Sequence, residues 1–216
     1  MNALGLIEVY SFTTALCAAD VMAKAADVKI IAFDRNRPFG KNIPVPLIMV
    51  VKVEGSVAAV KAAIEAGTQY AKSKGRYIVS HIIPRPDEDA EKMAYLMDMN
   101  KDKFNKKFPK TMKGVEAPES GFGKAIGMLE ISGFTSAVVG LDAMCKAADV
   151  KLLHKEERLG GMLVTLVVAG TVSAVKASLE HGEKTCNAIT KVFGNECIPS
   201  PHPEILKFFD LDIIND

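Results

Sequence analysis

Apolar runs and their spacing give this chain two successive series of the same elements. Ala3–Val9 is an apolar run of strand length, and Thr13 or Thr14 behind it can cap a helix that continues through small residues to about Ala26. Val28–Phe33 reads as a second strand, and a polar loop follows. Leu47–Val53 is a third, β-branched run; Pro44 and Pro46, which cannot donate to a strand ladder, place its start at about Leu47. Gly55-Ser56 opens a helix over VAAVKAAIEA, with Gly67 as its predicted C-terminal stop. Arg76–Ile83 supplies the last strand, closed by Pro84 and Pro86. The order is β-α-β-β-α-β, the split ferredoxin-like arrangement, an α+β fold whose antiparallel sheet carries both helices on one face. The same order recurs from Ala125 to about Ile198.

The recurrence is a duplication in letters as well as in pattern. At an offset of 122, Ala3–Glu8 (ALGLIE) falls on Ala125–Glu130 (AIGMLE), Phe12-Thr13 on Phe134-Thr135, Asp20 on Asp142, Met22 on Met144, and KAADVK at Lys24–Lys29 on the identical Lys146–Lys151. From Gly55 onward the offset is 115: Gly55–Ala62 falls on Gly170–Ala177, Glu65-Ala-Gly67 on Glu180-His-Gly182, and Ile83-Pro-Arg-Pro86 on Ile198-Pro-Ser-Pro201. The difference, 122 − 115, is seven residues inserted in the first copy between Val28 and Gly55. A register kept over so many positions marks tandem domains, expected over 1–87 and 123–216 with a linker over 88–122. Within the linker, Glu88–Met99 places Ala90, Met93, Leu96 and Met97 at helical spacing, which predicts a helix packing that face on its own domain. Lys101–Lys113 carries six lysines against one Asp and, without arginine or a groove-reading motif, reads as a solvated linker.

Composition narrows the functional classes. The 216 residues are 49% hydrophobic, yet no run approaches the roughly 20 uncharged apolar residues of a membrane-spanning helix, so the excess apolar surface is expected inside the domains and between subunits. A net charge of +1 gives no reason to expect nucleic acid or an anionic membrane as partner. MNALGLIEVY lacks the basic start and long apolar core of a secretory signal, which points to the cytoplasm. Cys17, Cys145, Cys186 and Cys197 form no C-x-x-C pair and are expected as reduced thiols rather than metal ligands. No nucleophile-elbow, zinc-protease or P-loop motif occurs, and the four histidines show no ligand spacing. The duplicated carboxylates, Glu8/Glu130, Asp20/Asp142, Asp27/Asp149 and Glu65/Glu180, suit structural and interface roles better than acid–base catalysis, so no enzyme is expected.

ALGLIE, the D-x-M-x-KAADV helix end, the G-[ST]-V-x-AVKA helix start and the terminal IPRP together resemble the bacterial microcompartment shell domain, in order and in both copies. With the ALGLIE strand first in each copy, the chain is similar to the unpermuted tandem, trimeric class of the propanediol-utilisation type. The resemblance implies a structural building block. Single-domain members form flat hexagons, and a tandem member reaches the same outline as a pseudohexameric homotrimer that tiles with other shell proteins around encapsulated enzymes. It also implies tile-edge residues: Lys24, Asp27 and Arg85 in the first copy, and Lys146, Asp149 and Ser200 in the second. Ser200 replaces the arginine of IPRP, so one edge differs from the other.

In that family the loop between the second and third strands lines a central pore. The resemblance puts Arg35, Asn36, Arg37, Pro38, Phe39, Gly40 and Lys41 of the first copy there, and Arg158, Leu159, Gly160 and Gly161 of the second; the first copy has the longer loop, Asp34–Ile43, and the seven inserted residues fall in this region. Arg35, Arg37 and Lys41, repeated about an axis, would favour small polar or anionic metabolites; if Asp34, or Glu156 and Glu157 on the neighbouring loop, neutralise them, the long loop plugs the opening instead. Some tandem members hold an iron–sulfur cluster through a cysteine in this loop; neither loop has one here, so no cofactor or metal is expected. A ferredoxin-like trimer that binds a small regulatory molecule is the competing reading.

Overall fold

The computed structural model describes residues 3–38, 43–96, 125–156 and 163–208. The chain divides into two compact units, Met1–Lys110 and Thr111–Asp216.

In the first unit, β1 (Ala3–Tyr10), α1 (Phe12–Ala25), β2 (Lys29–Asn36), β3 (Ile48–Gly55), α2 (Val57–Ser73) and β4 (Tyr77–Ile83) build an antiparallel sheet in the order β2-β3-β1-β4, and α3 (Glu88–Leu96) follows. The second unit repeats it: β5 (Ala125–Ser132), α4 (Phe134–Ala147), β6 (Val150–Glu156), β7 (Leu163–Gly170), α5 (Val172–Asn187) and β8 (Val192–Ile198) form a sheet ordered β6-β7-β5-β8, followed by α6 (Pro203–Phe208). The chain carries the expected β-α-β-β-α-β fold twice. One sheet face meets the helices, so Leu129, Ile131, Leu166 and Val168 join Met144, Val175 and Leu179 in the second core. Alternation then puts Leu4, Leu6, Lys52 and Glu54 on the opposite face of the first sheet.

Three local expectations change. α1 begins at Phe12 behind Ser11, not behind Thr13 or Thr14, because Ser11 adopts φ 80° and its Oγ lies 2.8 Å from Thr13 Oγ1. The matching residue is Gly133 at φ 85°, the type that takes this conformation without strain. α2 does not stop at Gly67 but runs to Ser73, with Gly75 at φ 64° after it. Gly67 is interior to the helix because α1 crosses there: a Cβ on Gly67 would lie 2.6 Å from Met22 Cγ, and one on Gly182 2.5 Å from Met144 Cγ. α3 does pack on its own unit, but through Ala94 and Tyr95 against Leu4 and Ile31, while Met93 is 61% exposed. Of the other residues expected on that face, Ala90 is half-buried, and the Leu96 side chain and Met97 lie outside the described residues.

Candidate assembly interface and hairpin

The KAADVK turn is built identically in both units. The residue closing the helix is extended, Ala26 at φ −159° and ψ 158° and Ala148 at φ −157° and ψ 159°. Val28 N–H then donates to the Ala26 carbonyl at 2.8 Å, and Val150 N–H to the Ala148 carbonyl at 2.9 Å. The turn docks against the next helix start so closely that a Cβ on Gly55 would sit 3.1 Å from the Asp27 carbonyl oxygen, and one on Gly170 3.0 Å from that of Asp149. This is why the duplicated helix start keeps its glycine. Lys24 Nζ donates to Asp20 Oδ2 and Lys146 Nζ to Asp142 Oδ2, each at 2.6 Å and each one helical turn back. An ammonium has three donors, so the pairing orients each lysine outward without exhausting it. Lys24, Asp27 and Arg85, and likewise Lys146, Asp149 and Ser200, are all exposed.

Strand register locates the insertion. Asn36 pairs with Ile48 in the first unit, and Glu156 pairs with Thr165 in the second. Since Asp34 pairs with Val50, the counterpart of Thr165, all seven extra residues fall in the β2–β3 hairpin after Asp34. Of the loop residues expected at a pore, Arg35, Asn36, Arg37 and Pro38 are described. Phe39, Gly40 and Lys41, and Arg158, Leu159, Gly160 and Gly161, lie outside the described residues, as does Glu157. Asn36 and Arg37 are exposed at the strand end and Arg35 is half-buried. The Arg35 N–H donates to Asp34 Oδ1 at 2.7 Å and the Arg37 N–H to Asn36 Oδ1 at 2.8 Å. Asp34 Oδ2 turns back to the sheet, 3.7 Å from the Nζ of buried Lys52.

A further surface was not anticipated from the sequence. Phe12, Leu16 and Cys17 of α1 are at most 5% exposed, whereas the matching Phe134, Val138 and Val139 of α4 are 56%, 51% and 39% exposed. Phe134, Val138 and Leu141 recur at helical spacing with exposed Cys145 beyond them, so α4 shows one apolar stripe. Phe12 and Phe134 are the same letter, so only accessibility in the folded chain distinguishes them. Lys52, Glu54 and Tyr95 on the back of the first sheet were also missed, although a lysine inside IMVVKVEG was a visible break in an apolar run.

No grouping for bond-making chemistry emerges among the described residues: no three His, Cys, Asp or Glu side chains converge as metal ligands. Burial pushes the Cys145, Cys186 and Cys197 thiols above the ordinary cysteine range, with the Asp142 charge adding to the effect at Cys145. None is primed as a thiolate at neutral pH.

The chain resembles known proteins over nearly its whole length. It is 30% identical over 205 residues to the carboxysome assembly protein CcmO of Synechococcus elongatus, spanning 95% of this chain and 67% of that protein. The bacterial microcompartment shell protein PduA of Salmonella typhimurium is 40% identical over 92 residues, 43% of this chain and 89% of its own. A microcompartment protein of known structure from Desulfitobacterium hafniense aligns over 95% of this chain and 98% of its own at 24% identity, with a TM-score of 0.38. The BMC-domain family model matches residues 3–86 and 125–201, the two stretches in which the strand and helix order repeats, and the chain therefore belongs to the BMC-domain family and carries its domain twice.

Proposed function

We propose that this chain is a structural shell protein of a bacterial microcompartment in the cytoplasm, assembling as a pseudohexameric homotrimer that tiles through its Lys24 and Lys146 rims with other shell proteins. Family membership supports the shell role. The observation that carries self-association is the contrast between equivalent helices: an apolar face that is buried on α1 stays open on α4. Covering the exposed parts of Phe134, Val138 and Val139 is worth on the order of 2–4 kcal/mol per contact, and closed rotational symmetry covers every copy of the face. The rims stay exposed in both units, as surfaces for joining finished oligomers must. Arg85 against Ser200 makes the two kinds of rim unequal, which favours a fixed orientation of neighbouring tiles.

Sedimentation of the purified chain, with electron microscopy at raised concentration, tests the reading. Trimers that form hexagonal layers are expected, and a wild-type monomer at micromolar concentration would overturn it. A discrete trimer that never forms layers, but is stabilised by an added metabolite, would favour the regulatory alternative. For the hairpin we propose an opening that passes small polar or anionic metabolites beside Arg35, Arg37 and Lys41. Unchanged anion flux across assembled layers after all three are replaced by alanine would remove that role.

A further inference from the structure

The back face of the first sheet carries a chain of contacts that ends at the inserted hairpin. Ala94 of α3 is 5% exposed and rests on Leu4 and Ile31. Its carbonyl accepts a hydrogen bond from Lys52 Nζ at 3.3 Å. Lys52 is 5% exposed as a residue, and its ammonium lies 3.7 Å from Asp34 Oδ2, within ion-pair reach. The other oxygen, Asp34 Oδ1, accepts from the Arg35 N–H at 2.7 Å, at the point where the hairpin leaves the register shared by the two copies. A second tie holds α3 alone: Tyr95 OH donates to Glu54 Oε2 at 2.7 Å, and Glu54 Oε1 lies 3.3 Å from Lys29 Nζ.

Of these groups, Lys52 and Glu54 belong to the first copy only. Lys52 pairs with Leu6 and Glu54 with Leu4, and the equivalent pairings in the second sheet give Val167 and Ala169. The polar tie thus occurs in the same copy as the seven-residue insertion. A buried ammonium needs acceptors, and here one comes from α3 and another from the hairpin base. If α3 lifts away, Lys52 loses the first and gains water, and its attraction for Asp34 weakens as the local dielectric rises.

We infer that Lys52 is a positioning residue that couples the docking of α3 to the setting of the β2–β3 hairpin. With α3 in place, Lys52 fixes Asp34, and Asp34 fixes the backbone from which Arg35 and Arg37 project. With α3 released, the hairpin base loosens. The consequence for passage through a pore rests on the function proposed above; the coupling itself does not.

Hydrogen exchange of the full chain, followed by mass spectrometry, tests the coupling without reference to assembly. Lys52→Met keeps the volume, and Val167 shows that this register position accepts an apolar residue. Exchange is expected to rise about tenfold or more in both 90–95 and 34–37, with β6 and β7 unchanged. Tyr95→Phe cuts the second tie without touching Lys52 or Asp34, so it should loosen α3 and, through Lys52, also residues 34–37; added to Lys52→Met it should have no further effect on 34–37. Loosening of α3 by Tyr95→Phe with residues 34–37 at wild-type rates would overturn the inference, and so would Lys52→Met loosening only one of the two segments. If Lys52→Met does not fold, the Tyr95→Phe arm alone decides. Should the shell reading fail because no layers form, the exchange result stands or falls by itself.

Discussion

At the residue scale, close approach decides which substitutions matter. A methyl added at Gly67 would reach within 2.6 Å of Met22 Cγ and 2.7 Å of its sulfur, and because a methionine side chain can shift, the cost belongs at the lower end of overpacking. Gly67→Ala is expected to destabilise the first unit by about 1–2 kcal/mol, measured by denaturant unfolding. Tyr95 gives a titration signature: burial first, and then the hydrogen bond to Glu54, raise its hydroxyl from the ordinary 10.0 to about 12. A raised acid favours its neutral form in the folded state, so this contribution is fully present below pH 10 and lost as pH climbs through about 12. Alkaline titration should release α3 in that window, and Tyr95→Phe should remove this phase. Gly67 illustrates how far a letter is legible alone: it reads as a helix stop, and only the helix crossing it shows that it is a contact.

At the element scale, α1 and α4 show a duplicated helix in two settings. Each spans 14 residues, and each ends in a lysine paired to an aspartate one turn back. Their difference lies in what is covered, which periodicity cannot report because both patterns are equally apolar. Placing a charge in the α4 stripe, as in Val138→Asp, should leave the unit folded while dissociating the oligomer, read by sedimentation. Cys145, exposed beyond that stripe, supplies a second readout. It should react with a maleimide several-fold faster in Val138→Asp than in the assembled wild type. Equal rates in both would place the subunit contact elsewhere. The β2–β3 hairpin was legible as a long loop holding the insertion, and strand register agrees, with all seven extra residues after Asp34.

At the scale of the whole molecule, the duplication separates two kinds of surface. What is exposed in both copies, such as the Lys24 and Lys146 rims, suits contacts between finished oligomers; what is open in one copy only, the α4 stripe, suits contacts that build the oligomer. The Lys146–Asp142 pair is exposed at both ends and contributes little to stability, on the order of 0.5 kcal/mol, whereas Lys24 neutralises a buried Asp20, so its loss costs the fold more. Lys24→Ala with Lys146→Ala is therefore expected to lower the unfolding midpoint modestly through the Lys24 site, while keeping the proposed trimer and abolishing extended layers in micrographs. Layers that persist unchanged would remove both lysines from the edge.

The sequence by itself determined the repeated β-α-β-β-α-β order and the place of the KAADVK turns, because apolar period and the duplicated glycines and prolines are local signals. The folded chain decided the rest: that α4 is open where α1 is closed, that Gly67 is a contact, and that Lys52 joins α3 to the hairpin. Each depends on residues far apart in the chain, 42 positions for Lys52 and Ala94, and a pattern read along the chain carries no information about which distant group arrives to cover or satisfy a given side chain.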